Sequence, residues 1–370
     1  MKKALVVLLI LAVAGGVFAQ SVSVSGLVNA GLGMLKYDGV DDPAFGLLGH
    51  NQGVDGMRTQ INFNGTNKDG NAGFSVRLRA AAAPGNAGWR DNLQFRWAYG
   101  WLKPFDGLLD LRAGRIQGNN FDTLDPITDG DTHFDSFGLL LYINPVDMVS
   151  IGVGAHTNQP LSAYDVLDNH NMYGWLGFGL YLGVADIVAQ MKATGNDVNA
   201  YLSTAITAVP ILDIDATLGL WDISNFSDSG MIGIFPHVGV NIIDNLGINL
   251  AVGIWMPQAS GADNAFRFWF WLDYALGNII PRIDVNYMIA GSFNDGGGFY
   301  KNSVVEEGPF DKDVALLTVS PSVLMKVAGN MHFELGYLLG IDMSKNDRAA
   351  IGGKNKGVNH AAFADVRVSF

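Results

Sequence analysis

Ala362-Phe363-Ala364-Asp365-Val366-Arg367-Val368-Ser369-Phe370 ends the chain, and its alternation decides how the rest is read. Even positions are apolar, while Asp365, Arg367 and Ser369 hold odd ones. Successive side chains of a strand point to opposite faces, so this segment is a β-strand with one apolar and one polar face. A soluble sandwich alternates as well. The distinction lies in the polar face, which here carries Asp and Arg in mid-strand opposite large apolar groups. A barrel in lipid has that arrangement, with apolar side chains outside and polar ones inside.

The same pattern recurs upstream. Met331, Phe333, Leu335, Tyr337, Leu339 and Ile341 share one face, with His332 and Glu334 on the other. Arg282 to Tyr287, Asn92 to Tyr99 and Phe74 to Arg79 alternate in the same way. Composition agrees: only 16% of residues are charged and the chain has no Cys, whereas a soluble chain carries about a quarter charged residues. No segment after the N-terminus has the ~18 apolar residues of a spanning helix. Without Cys there is no disulfide framework, Cys-ligated zinc or thiol catalysis.

Met1-Lys2-Lys3, the apolar run Ala4 to Ala14 and the small-residue stretch Val17-Phe18-Ala19 form a secretory signal pattern. Cleavage is expected after Ala19, leaving 20–370 as a single barrel domain. Loss of Lys2 and Lys3 takes the net charge from −12 to −14. An acidic exported chain is a poor partner for nucleic acid.

Turn signals divide the remainder. Short ones fall at 67–70, 104–107, 144–147, 183–186, 209–212, 243–245, 277–281 and 328–330, and the clearest long connections at 36–56, 116–135, 158–171, 294–313 and 342–360. Short turns alternating with longer loops define a transmembrane antiparallel β-barrel, all-β, of about 18 strands, or 16 if one segment is misdivided.

Three stretches resemble Gram-negative general porins. Ser21 to Gly31 is similar to their first strand, and Arg58 to Thr66 with Asn-Lys-Asp-Gly and Phe74 to Ala80 to their second hairpin. Ala98 to Leu102 through Leu111-Arg112-Ala113-Gly114-Arg115 resembles the segment entering their constriction loop. The terminal Phe370 resembles the signal read by the barrel-assembly machinery. The resemblance implies an outer-membrane homotrimer whose third external loop folds into the pore opposite a basic ladder. Two departures stand out: Gln60 holds a position the family gives to arginine, and the family's Pro-Glu-Phe-Gly-Gly loop motif is missing.

In this sequence the ladder comprises Arg58, Arg77, Arg79, Arg96 and Arg112, polar-face by parity, together with Gln60 and Arg115. Parity alone turns Arg115 outward; the resemblance assigns it to the pore. Segment 116–135 carries Asp122, Asp125, Asp129 and Asp131 as the acidic side. Arg267-Phe268-Trp269-Phe270-Trp271 adds two aromatics, Trp269 and Trp271, which turn inward if Phe268 and Phe270 face lipid. They form a track for sugar rings, a plug, or, with parity reversed, a lipid-side girdle.

Catalytic signals are thin. No nucleophile elbow or phosphate loop is present, and the seven His are scattered without metal-ligand spacing. No enzyme, cofactor or metal site is therefore expected. The expected function is passive diffusion of small hydrophilic solutes and ions through an outer-membrane pore, with lipid and the assembly machinery as partners. The alternatives are a sugar-type selective channel and a surface adhesin or structural barrel without an open pore.

Overall fold

The computed structural model describes residues 21–36, 38, 41–46, 57–82, 94–116, 118–128, 136–157, 172–195, 197–241, 243–289, 315–343 and 357–370. The signal segment, Asp129, Asp131 and most of the long connections lie outside these residues. The strands run β1 (Ser21–Lys36), β2 (Ala44–Gly46), β3 (Met57–Thr66), β4 (Ala72–Ala82), β5 (Gln94–Leu102) and β6 (Leu109–Ile116). Next come β7 (Ser136–Val146), β8 (Val149–Thr157), β9 (Met172–Tyr181), β10 (Ala185–Thr194), β11 (Asp197–Ile206) and β12 (Leu212–Trp221). The last are β13 (Met231–Val240), β14 (Leu246–Pro257), β15 (Ala265–Tyr274), β16 (Ile279–Ile289), β17 (Ala315–Ala328), β18 (Met331–Asp342) and β19 (Val358–Ser369).

Eighteen of these strands form one closed antiparallel ring, in which each pairs with its chain neighbour and β1 pairs with both β3 and β19. The short β2 lies on β1 at Gly33–Leu35, beyond the end of β3. Closure leaves no barrel strand with an unpaired edge, which lipid requires because it offers no hydrogen bonds. All eight short turns fall on one side of the ring and the long connections on the other. One connection on the long side is an exception, since β10 and β11 are joined through Gly195 and Asn196 alone.

Local chemistry explains the turns. Between β3 and β4, Asn67 Oδ1 accepts from the amides of Asn71 (3.1 Å) and Ala72 (3.2 Å). Gly70 there adopts φ +68°, a left-handed conformation that glycine takes without Cβ strain. The two faces separate as the alternation requires. Leu176, Phe178, Leu202 and Leu250 stand exposed on the outer rows, where lipid would cover them. On the last strand Ala362, Ala364, Val366 and Val368 lie outside, while Asp365 and Arg367 lie inside.

The seam between first and last strands has a particular seat. Gly26 and Phe370 exchange backbone hydrogen bonds of 2.7 and 3.0 Å. A Cβ on Gly26 would lie 2.3 Å from the Phe370 ring, so the ring occupies the place where a side chain would be.

Candidate functional site

Register brings the arginines together. Asn29 on β1 faces Arg58 on β3 on one side and Arg367 on β19 on the other, and Arg367 faces His332 on β18. The neighbouring inward rows place Gln60 against Arg79, and Asn62 against Arg77. Arg58 feels the like charges of Arg79, Arg96, Arg367 and Arg77, so all five belong to one basic cluster. Amide and aromatic groups hold these cations in place. Arg77 Nε donates to Asn62 Oδ1 at 2.5 Å, and its guanidinium lies 3.5 Å from the centre of the Trp97 ring. Trp97 is fixed in turn by its Nε1–H, which donates to Ser75 Oγ at 3.0 Å.

Trp97 corrects the parity reading of β5. The β4–β5 register slips between Arg77 and Leu78, which leaves Arg96 as the extra residue of a bulge. Trp97, Tyr99 and Trp101 therefore face inward beside Arg77, Ser75 and Gly73. Arg96 reaches the cluster from the bulge itself.

Arg112 also faces inward, paired to Asp110 at 2.9 Å and donating to Asn120 Oδ1 at 2.9 Å, so it ties the barrel wall to the base of the loop. Arg115 does not join it. Its register partners Ala98 and Phe137 are outer-row residues, and its Nε donates to the Arg96 carbonyl at 3.2 Å. The inward assignment of Arg115 is thus overturned: β6 continues as regular strand through Ile116, and strict alternation keeps Arg115 outside.

The described part of the 116–135 connection folds into the barrel. Phe121 is fully buried against Trp175 and Tyr142, each at a ring separation of 5.7 Å. Gln190 on β10 receives Trp175 Nε1–H (3.1 Å) and Asn119 Nδ2–H (3.2 Å), and donates to the Phe121 carbonyl (2.8 Å). Further along, the Leu124 amide donates to Ser203 Oγ at 3.0 Å, and Ile127 packs over Gly253.

The aspartates of this loop act differently from the expectation. Asp122 accepts from the Asn119 amide at 3.0 Å and from its side chain at 2.7 Å. Asp125 is buried, and its Oδ1 accepts from the amides of Ile127 (2.9 Å) and Thr128 (2.8 Å). Both carboxylates shape the loop, and Asp125 presents no open acidic surface to the lumen. Asp129 and Asp131 lie outside the described residues.

The wall that receives the loop is panelled with aromatic rings. Tyr201, Trp221, Phe235 and Trp255, on four consecutive strands, contact one another edge to face at 5.5, 5.9 and 5.2 Å. Each of the last three folds over a glycine two residues earlier on its own strand: Gly219, Gly233 and Gly253. A Cβ there would lie 2.4 to 2.7 Å from ring carbons, so glycine is what lets these rings lie flat. The Gly-x-aromatic spacing is visible in the sequence and marks this wall.

Trp269 and Trp271 do point inward, which removes the girdle reading. They are packed rather than free: Trp269 Nε1 donates to Asp284 Oδ2 at 2.7 Å, and the two rings lie 4.6 Å apart. Trp271 stacks on His237 with an interplanar angle of 2°. His237 Nδ1 meets Asp215 Oδ2 at 2.7 Å, both residues being buried. Counted round the ring of eighteen, β12 lies nine strands from β3, so Asp215 stands on the wall opposite Arg58. Arg367, Asp110, Asp215, His237 and Asp284 are among the charged or titratable inward residues that the sequence alone did not assign to the pore. Strand parity marks each one, but only the register shows which of them meet.

No protein-family model matches the sequence, and no curated protein sequence matches it. Solved structures do. The anion-selective porin from Comamonas acidovorans superposes with a TM-score of 0.54 at 11% identity, covering 95% of this chain and 99% of that one. Pseudomonas aeruginosa OpdO gives a TM-score of 0.58 at 8% identity, over 95% and 98% of the two chains. Pseudomonas aeruginosa OccD3 (OpdP) gives 0.57 at 12% identity, over 95% and 92%. At such identities the likeness is one of fold: the chain is a closed 18-strand β-barrel that superposes on these three proteins over nearly its whole length.

Proposed function

We propose that the protein is an outer-membrane porin through which small hydrophilic solutes and ions diffuse passively. The observation that carries this is the cluster of Arg58, Arg77, Arg79, Arg96 and Arg367 on the inner wall of a closed barrel, half a ring from Asp215 and from the wall that receives the inward loop. Opposed charges across a water-filled neck set up a transverse field that favours dipolar solutes over apolar ones. Arg112 holds the loop base, and Gln60 spaces Arg58 from Arg79 on adjacent rows. No step in this function calls for a catalytic group or a cofactor.

Planar-bilayer conductance in a KCl gradient tests the reading. Replacing Arg77, Arg79 and Arg96 by Ala should move the reversal potential toward cation selectivity. Unchanged selectivity would remove the arginines from the conduction path. A wild-type barrel that conducts nothing while binding a partner cell would replace the channel by an adhesin.

The half-buried, inward Trp269 and Trp271 support a second reading, a channel selective for sugars, because accessible ring faces stack on the apolar faces of pyranoses. Saturable flux and current block by one sugar would support it. A homotrimer, and delivery of β19 through Phe370 to the assembly machinery, complete the proposal. Cross-linking and heat-modifiable migration of a Phe370→Ala variant address those two points.

A further inference from the structure

Asp213, Asp215 and His237 gather on the inner wall where β12 meets β13. One oxygen of each carboxylate and one ring nitrogen lie within 4.8 Å of one another. Two adjacent rows build the place: Asp215 faces His237, which faces Ala251, and Asp213 faces Gly239, which faces Asn249. The small residues keep the floor clear. A Cβ on Gly239 would lie 2.7 Å from Asn249 Oδ1 and 3.0 Å from the Asp213 Cβ, within the space between the two rows.

A second observation is independent of this clustering. Asp215 is 5% exposed, and its Oδ1 has no hydrogen-bond partner among the described residues. A buried carboxylate oxygen left without a partner is costly, and a cation is the group that would satisfy it. Asp125 and Asp213 add negative charge around Asp215.

We infer that Asp213, Asp215 and His237 bind a divalent first-row transition ion on the pore wall. The imidazole nitrogen points to this class, because magnesium and calcium take oxygen ligands, whereas zinc takes imidazole and carboxylate together. Asn249 Oδ1 lies 3.3 Å from His237 Nε2, within reach to accept a proton from it. With Nε2–H held by Asn249, Nδ1 is the nitrogen that would ligate the ion once the proton of its 2.7 Å contact with Asp215 Oδ2 is released. Binding releases any proton shared between Nδ1 and Asp215. Ligand atoms around a tetrahedral zinc ion stand about 3.4 Å apart, so His237 Nδ1 and Asp215 Oδ2, now 2.7 Å apart, must open to admit the ion while the exposed Asp213 closes on it.

The inference concerns the wall of the proposed pore but does not depend on conduction. Untagged protein in detergent micelles is titrated with ZnCl2 by calorimetry, with MgCl2 as comparator. One zinc ion per chain is expected, with affinity lowered at least tenfold in Asp213→Asn and His237→Ala and about tenfold in Asn249→Ala. Heat-modifiable migration establishes that each variant is folded. Should His237→Ala fail to fold, the exposed Asp213→Asn still decides. Absence of zinc uptake by the wild type, equal affinity in Asp213→Asn, or magnesium binding as tightly as zinc would overturn the inference. A barrel that binds zinc and conducts nothing would overturn the channel and leave the metal site standing.

Discussion

Two walls of one barrel solve opposite problems. On β19, β1, β3, β4 and β5 the inner face gathers five arginines whose charges repel. Small polar residues between them, Asn29, Gln60 and Asn62, keep the guanidinium groups on separate rows, and Trp97 gives one of them an aromatic face. On β7 to β14 the part of the inner face that meets the loop is panelled with aromatic rings, and it binds the loop through rings, glycine seats, one glutamine and one serine. The first wall contributes a field at some cost in stability. The second contributes stability and anchors the inward loop.

Loss of Phe121 should break this contrast most strongly. Phe121→Ala removes a fully buried ring, a change worth about 3–5 kcal/mol in a packed interior, and should free the loop. Single-channel conductance is expected to rise severalfold and become noisier; unaltered conductance would mean that the loop does not set the neck. Gly177→Val attacks the same contact from the wall, since a Cβ there would lie 2.1 Å from Phe121. Overpacking of this kind costs about 1–3 kcal/mol, and protease cleavage within 118–128 should become faster in this variant. Gln190→Leu leaves the Trp175 N–H and the Phe121 carbonyl without their partner, a loss of about 1–3 kcal/mol readable as a lower unfolding temperature. On the basic wall, Trp97→Leu removes a cation–π contact worth about 0.5–2 kcal/mol. It should broaden the distribution of reversal potentials without altering loop proteolysis. The smallest effect is that of salt: the Debye length falls from about 10 Å at 0.1 M to about 3 Å at 1 M, so selectivity should decline across that range while mean neck width stays constant.

The sequence reading succeeded where alternation was unbroken and failed where geometry departed from it. Arg58, Arg77 and Arg79 are legible because β3 and the lower part of β4 pair regularly. Trp97 was misplaced because one extra residue in β5 reverses every side chain beyond it, and a bulge leaves no trace in a hydrophobic pattern. Arg115 failed for the converse reason, being assigned inward by family resemblance against a parity that held. The aspartates of the loop were counted as charges, yet Asp125 is consumed by two backbone amides, a local bond that composition cannot reveal. Asp215 and His237 are 22 residues apart, and only the register of β12 with β13 makes them neighbours. The glycine-aromatic panelling, by contrast, was written in the chain at 219–221, 233–235 and 253–255 and could have been read.

The seat of Phe370 on Gly26 bears on how the protein reaches this state. The two strands it joins are the first and last of the barrel in chain order, so the strand pairing with the longest separation along the sequence is also the one that finishes the ring. Closure of so large a loop carries the greatest entropic cost among the strand pairings. Until it occurs, β1 and β19 are both edges with unpaired backbone groups, a state that lipid does not tolerate. Pairing of β1 with β19 is thus the step that turns a sheet into a ring, and a barrel lacking β19 would be an open sheet looking for a partner.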